Sequence, residues 1–299
     1  MEVIGIDFGA SYTRFGIVRP NGTIRKKIVL VTPNKPKEIE RIFEMGFRFL
    51  HRSGVSKNAP VGVATIGPLS LSEGIVVKTP NLGGIDVKLR EMVEKIHRGP
   101  FVMMNDCTAA VWGEKIYGLG RRCRNIVYIT LSTGIGGGAV VDNHLLVGKD
   151  GNAVEIGHIV VDTFSRVKCG CGGRGHWEAL CSGTGLPKLA ADIFDKKIWK
   201  TSREIFDAAS AGNPQALEVV KRMAFFNAAG FASVINCYDP EMVVVGGGLA
   251  LSHPKETVSK PAQMLRQYGT LKAKIKITQL GADAPLLGAA ALTMHQPES

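Results

Sequence analysis

Two stretches of this chain follow one plan, and that repetition limits the folds open to it. Val3 to Val18 reads as strand, a turn at Gly9 and strand, and a Pro20-Asn21-Gly22 turn leads into a third strand near Thr23 to Val31. Ile126 to Leu131 is again an apolar run, followed by a loop over Ser132 to Gly138, a strand over Ala139 to Val141 and a turn at Asp142-Asn143. Each segment then passes into helical periodicity, over Lys37 to His51 and over Gln215 to Cys237. Duplicated α/β lobes are the expectation. At 299 residues and 45% hydrophobic content the chain sits near the size at which one core gives way to two, so two lobes with a cleft are expected.

The runs Pro60 to Gly67 (PVGVATIG) and Phe101 to Asn105 (FVMMN) are short, apolar and bounded by Gly or Pro, which predicts buried strands. A helix over Cys107 to Tyr117 is expected to follow Asp106, placed as its N-cap acid. The helix over Gln215 to Cys237 is apolar on most of its circumference, hence buried, and Asp239-Pro240 stops it. A strand over Glu241 to Val245 then runs into Gly246-Gly247-Gly248, and Ala284 to His295 reads as a closing helix.

The net charge of +11 is spread through Arg19 to Lys57 and Arg266 to Lys276 with no stacking-aromatic motif, which points to solvated helix faces and not to nucleic acid. A positive field also draws in an anionic nucleotide. The chain enters a strand-like run at once (MEVIGIDFG), and no apolar segment is long enough to cross a bilayer. A cytoplasmic protein with no membrane partner is expected. Six cysteines without a secretion signal favour metal over disulfides, with Cys107, Cys123 and Cys237 as core or inert residues.

Acids, histidines and thiols crowd into Glu155 to Glu178, EIGHIVVDTFSRVKCGCGGRGHWE. Zn²⁺ takes sulfur and imidazole ligands, usually four, and His158, Cys169, Cys171 and His176 supply that number. A carboxylate is a poor partner for a thiolate-rich structural zinc, so Glu155 and Glu178 are better suited to a hydroxyl-bearing ligand. Two readings are open: a metal that shapes a substrate loop, or a small zinc knuckle with no link to chemistry.

Three loops that follow strands could accept phosphate: Asp7 to Arg14 (DFGASYTR), Leu131 to Gly138 (LSTGIGGG) and Val245 to Ala250 (VGGGLA). Glycine lets backbone N–H groups approach phosphate oxygens, and Ser or Thr adds a hydroxyl donor. None is a Walker loop and none has the dinucleotide Gly-x-Gly-x-x-Gly with its downstream acid. Asp7 is either a turn acid or a carboxylate that orients Mg²⁺ through water. Asn105-Asp106, at the end of an apolar strand, is either a helix cap or the base that takes a proton from a hydroxyl attacking phosphorus.

With those residues in view, the chain resembles the ROK family of sugar kinases, within the actin-like, ribonuclease H-like ATPase fold. The likeness runs from Asp7 through VVVGGGLA to LGAAAL near the C-terminus, and the Glu-x-Gly-His element paired with Cys-x-Cys-Gly-x-x-Gly-x-x-Glu is its most specific part. The resemblance implies that Gly67, Asn81, Asn105, Asp106, Glu155, His158 and Glu178 face the sugar, with Asp106 as catalytic base. It implies nucleotide contacts from Asp7, Gly9, Ala10, Ser11, Thr13, Arg14, Ser132, Thr133, Gly134 and Gly136, and puts Gly246, Gly247 and Gly248 beside the adenosine. His158 would bind zinc through one ring nitrogen and a sugar hydroxyl through the other.

The implied activity is ATP-dependent phosphorylation of a hexose at its primary hydroxyl, of glucokinase or broader hexokinase type, with ATP, Mg²⁺ and a structural Zn²⁺ and a homodimeric assembly. N-acetylmannosamine, N-acetylglucosamine, allose and fructose remain alternative substrates. The implied lobes are 1–106 with 284–299, and 107–283 carrying the zinc loop 158–178. Two departures from the family pattern stand out: His176 replaces a cysteine, with Cys181 as an alternative fourth ligand, and Ser11 replaces a threonine. A sugar-responsive regulator is the rival from another class, but the first strand leaves no room ahead of it for a helix-turn-helix. An actin-like or chaperone ATPase gives no reason for the zinc loop.

Overall fold

The computed structural model describes residues 1–78, 82, 84–269, 271–295 and 297. Runs rich in Val, Ile and Phe become strands, here β1 (Val3–Phe8), β2 (Tyr12–Val18) and β3 (Ile24–Val31), followed by the helix α1 (Pro36–Arg52). Then come β4 (Val61–Thr65), the short hairpin β5 (Leu69–Ser70) and β6 (Ile75–Val76), α2 (Leu89–Ile96), β7 (Phe101–Asn105) and α3 (Asp106–Ile116). The second half opens with β8 (Ile126–Leu131), β9 (Ile135–Val141) and β10 (His144–Leu145). It continues through α4 (Trp177–Cys181), α5 (Leu186–Phe194), α6 (Ser202–Ser210) and α7 (Pro214–Tyr238) to β11 (Met242–Gly246). It closes with α8 (Gly248–Ser252), α9 (Lys260–Met264), β12 (Lys274–Ile277) and α10 (Ala284–Met294).

The repeat read from the sequence is a repeat of topology. The first sheet has the order β3-β2-β1-β4-β7 and the second β10-β9-β8-β11-β12. In the first, β2 is antiparallel to β1 and β3 whereas β1, β4 and β7 run parallel. In the second, β10 is antiparallel to β9 whereas β8, β11 and β12 run parallel. Parallel strands put their carboxyl ends on one edge, where open α/β sheets bind ligands. Gly9, Gly67, Asp106, Ser132 and Gly247 all follow such ends.

By contacts the chain divides into two compact units, residues 1–124 with 138–153 and 283–299, and residues 125–137 with 154–282. In the first, α1 turns Ile39, Phe43, Phe47 and Leu50 inward as one stripe. Phe43 meets Phe8 and Phe15 edge to face, with ring centroids 5.5 and 5.3 Å apart. On the other side α10 lies so close to β4 and α3 that a Cβ on Gly62 would strike the Ala289 carbonyl and one on Gly288 the Ala109 carbonyl. The second unit is built round α7, which buries Val219, Met223, Phe231 and Ile235.

Two sequence expectations are corrected. The loop after β8 is only Ser132–Gly134, because β9 begins at Ile135 and takes Gly136 to Gly138 into the strand. The cap of α3 is Asn105, whose side chain accepts from the N–H groups of Cys107 and Thr108, so Asp106 is the first helical residue and not the cap. No helix among the described residues is long and apolar enough to cross a membrane.

Candidate functional site

In the first unit, β1 and β2 place Asp7 opposite Arg14 in register, and the Arg14 guanidinium donates to Asp7 Oδ2 at 2.7 Å. Asp7 is only 4% exposed. Desolvation therefore outweighs the Arg14 charge, and with added repulsion from Asp106 and Asp283 the carboxyl is pushed up to about 7. The turn between the strands closes through Gly9 N–H to the Tyr12 carbonyl at 3.2 Å, leaving Gly9 and Ala10 half-buried and Ser11 exposed. The fully buried Thr13 shares a 2.8 Å hydrogen bond with the Thr32 hydroxyl.

At the end of β7, Asn105 Oδ1 accepts from Cys107 N–H at 2.9 Å and from Thr108 N–H at 3.4 Å. Asp106 is half-buried, with Oδ1 accepting from Cys107 N–H at 2.8 Å. Burial holds its carboxyl above the ordinary aspartate range, against the hydrogen bond, which pulls the other way. Gly67 is a neighbour of this pair: a Cβ there would lie 3.6 Å from Asn105 Nδ2 and 3.5 Å from Asn152 Oδ1. Asn152 in turn grips Leu69 by both backbone groups, accepting its N–H at 2.9 Å and donating to its carbonyl at 3.1 Å. Asn81 lies outside the described residues.

In the second unit the loop Ser132–Gly134 is held from behind by the turn at Ser182–Gly185. Gly183 N–H donates to the Ser132 carbonyl at 2.8 Å, and the Thr184 hydroxyl donates to the Thr133 carbonyl at 2.9 Å. Gly247, with φ +88°, tucks against Thr130 and Leu131 where any Cβ would collide, and Gly248 approaches Ser132 Oγ. The two glycine-rich loops of this unit are thus neighbours, while Gly136 stands in β9. Glu178, in the first turn of α4, reaches the same loop, its Oε2 accepting from Ile135 N–H at 2.9 Å.

Glu155 and His158 are exposed; Glu155 precedes a single 3-10 turn, Ile156–His158, and His158 ends it. The turn is entered through Val154, whose φ of +63° is a costly conformation for a β-branched residue. His158, Cys169, Cys171 and His176 converge, with one ligand atom from each inside 4.8 Å of all the others. Cys171 Sγ and His176 Nδ1 stand 3.3 Å apart. Tetrahedral structural zinc takes four sulfur or imidazole ligands, two of each being one of its ordinary sets, so the donor set fits the ion. Cys181 is not of this set: its thiol is fully buried and donates to the Met223 carbonyl at 3.6 Å. Cys169 Sγ also lies 3.8 Å from Glu178 Oε1, which ties the four-residue cluster to the acid.

Sequence reasoning overlooked Asn152, Ser182–Gly185 and the contacts of Trp177. The Ser-Gly-Thr-Gly composition at 182–185 carries the same loop signal as the other glycine-rich turns and could have been found. The bidentate grip of Asn152 on Leu69 depends on a long-range approach that no local pattern encodes.

The chain is 38% identical to a glucokinase of Pyrobaculum calidifontis over all of its own length and 97% of that protein's. A ROK hexokinase from Thermus thermophilus superimposes with a TM-score of 0.85 at 31% identity, covering 98% of each chain. A ROK family glucokinase from Streptomyces griseus, solved in complex with glucose and AMPPNP, superimposes with a TM-score of 0.83 at 28% identity, covering 98% of this chain and 99% of that one. The duplicated sheets are those of the actin-like, ribonuclease H-like fold, residues 3–296 match the family as a whole, and the chain belongs to the ROK family.

Proposed function

We propose that this protein transfers the γ-phosphoryl group of ATP to the primary hydroxyl of a hexose, with glucose as the first substrate. The observation that carries the reading is the Asn105-Asp106 junction. Asn105 takes over the capping of α3, so the next carboxylate is not the cap, and desolvation raises its affinity for a proton. Asp106 accepts the hydroxyl proton as that oxygen forms its bond to phosphorus and the bond between phosphorus and the β,γ-bridging oxygen breaks, releasing ADP. Positioned base catalysis of this kind is worth roughly 10² to 10⁴ in rate.

Asn105 and Gly67 orient the sugar beside the base, and Glu155, His158 and Glu178 accept or donate to its other hydroxyls. Backbone N–H groups of Gly9 to Ser11 and of Thr133 and Gly134 suit phosphate oxygens, with the Ser11 and Ser132 hydroxyls as further donors. Gly248, where a Cβ would meet only Ser132 Oγ, leaves room for adenosine, with Gly246 and Gly247 beside it. Asp7 would hold Mg²⁺ through water, and that ion would neutralise charge on the nucleotide oxygens. His158, Cys169, Cys171 and His176 would hold a structural Zn²⁺ that fixes the loop carrying Glu178.

An ADP-release assay with ATP and Mg²⁺ across hexoses and N-acetylhexosamines, with a no-sugar control, tests the proposal. Sugar-dependent turnover strongest on glucose is expected. ADP release that ignores sugar, or silence across the panel, would overturn it.

A further inference from the structure

Asn227 is the one polar side chain that α7 buries, at 0% exposure, along a face otherwise made of Ala, Val, Met, Phe, Ile and Gly. An amide in such surroundings is costly unless both of its ends are bonded. Asn227 meets that condition by reaching two different segments. Its Oδ1 accepts from Trp177 Nε1–H at 2.7 Å, and its Nδ2 donates to the Thr257 carbonyl at 3.2 Å.

The first segment carries the metal and sugar residues. Trp177 stands between His176 and Glu178 and is completely buried. Successive turns of α7 fix its indole: Asn227 holds the ring nitrogen, Gly230 leaves no room for a Cβ beneath the ring, and Phe231 meets it edge-on at 5.5 Å. Trp177 N–H also donates to the Ile159 carbonyl at 2.9 Å, next to His158. The second segment hangs from the glycine loop. Thr257 lies in a π-helical turn, Lys255–Ser259, a geometry in which carbonyls lose their ordinary helical partners and become available to a side chain. Its hydroxyl donates to the His253 carbonyl at 2.7 Å, at the end of the helix that Gly248 begins, and the His253 ring stacks on Phe206 at 3.8 Å.

We infer that Asn227 is a positioning residue that couples the Gly246–Gly248 loop to the His176–Glu178 segment, so that nucleotide at the first strengthens sugar binding at the second. The inference rests on the kinase reading above. Asn227 is a single group bonded to both segments, and a rearrangement of the π-helical turn on nucleotide binding reaches Trp177 through one amide.

The test measures the glucose dissociation constant of the full chain with and without a non-hydrolysable ATP analogue, in the parent protein, Asn227→Leu and Trp177→Phe. Leu is close to Asn in size but can neither accept from Trp177 Nε1–H nor donate to the Thr257 carbonyl, so both bonds are lost, whereas a buried Asp would take up a proton and restore the donor. The parent should bind glucose at least about fivefold more tightly with the analogue present. In Asn227→Leu that gain should vanish while glucose affinity without nucleotide stays within about twofold. Trp177→Phe, which keeps the packing on Phe231 but loses the indole N–H, should lose the same gain; a retained gain in either folded variant would overturn the inference. Sugar-dependent turnover in the parent separates the two failures. If it is present and the coupling is unaltered by either variant, only the role of Asn227 falls; if it is absent, the kinase reading falls with it.

Discussion

The carboxylate of Glu178 fills the space that a side chain at Gly134 would occupy, while Oε2 holds the N–H of the next residue, Ile135, at 2.9 Å. Position 134 therefore needs glycine for room and not for backbone conformation, since its φ lies outside the range that L residues avoid. Gly134→Ala should fold with an unchanged melting temperature but displace Glu178, and a misplacement of about 1 Å near reacting groups costs roughly 10²-fold in rate. Steady-state kinetics on glucose would show it as a fall in kcat/KM. Full activity in the folded variant would mean that the position of Glu178 is unimportant.

Asp106→Asn keeps the size and the Cys107 contact but cannot take a proton. Its kcat should fall by about 10² to 10⁴ with the sugar dissociation constant nearly unchanged. Because burial raises the Asp106 pKa, the parent's kcat/KM should fall with decreasing pH through a midpoint above the ordinary 3.8. That acidic limb reports loss of the ionised base, and it should be missing from the residual activity of the variant.

Asp7 ties stability to pH in the opposite sense from most surface acids. Its folded pKa of about 7 exceeds the ordinary 3.8, so between these values the folded state holds a proton that the unfolded state has lost. The stability it contributes is complete below 3.8 and is lost as pH rises to about 7. Relative to Asp7→Asn, the parent should lose roughly 1 to 4 kcal/mol over that rise. Urea unfolding of both proteins at several pH values measures it, and parallel pH profiles would refute it.

Val154 offers a test of strain at the entrance to Glu155. Alanine and glycine both delete the buried isopropyl group, but only alanine keeps a Cβ at φ +63°. Val154→Gly should therefore be more stable than Val154→Ala by about 1 kcal/mol, the reverse of the order at ordinary positions. Paired denaturant midpoints would decide, and an alanine variant as stable as glycine would remove the strain argument.

What the sequence made legible follows from range. The duplicated sheets were readable because strand, glycine turn and strand recur as local patterns, and Phe101–Asn105 was placed to the residue. The four candidate ligands could be picked out because Cys and His have little reason to cluster otherwise, and their side chains do converge. The cap of α3 was misplaced by one residue because Asn and Asp are nearly equal cap formers, and only the φ and ψ of the junction separate them. The loop after β8 was drawn too long because Gly136 to Gly138 look like turn residues, whereas Gly137 and Gly138 are glycine to let Ile156 and the Cys107 carbonyl approach β9. Asn227 and Asn152 act through partners 30 to 83 residues away, beyond any local signal.

His176 and Cys181 compete for the fourth place in the candidate metal cluster. Sequence spacing left His176 and Cys181 as alternatives, but the Cys181 thiol is buried and bonded to the Met223 carbonyl, whereas His176 Nδ1 stands 3.3 Å from Cys171 Sγ. Desolvation also drives the Cys181 pKa well above its usual 9.0, which disfavours the thiolate that zinc requires. Cys181→Ala should therefore hold zinc no less firmly than the parent, while His176→Ala and Cys169→Ser should lose it after dialysis against a chelator. Because Cys169 also lies beside Glu178, metal-free protein should bind glucose about tenfold more weakly. Atomic emission on the dialysed proteins, followed by calorimetric titration with glucose, checks both statements. Zinc loss from Cys181→Ala would reverse the ligand assignment, and unchanged glucose affinity in verified metal-free protein would make the cluster a knuckle with no bearing on the sugar.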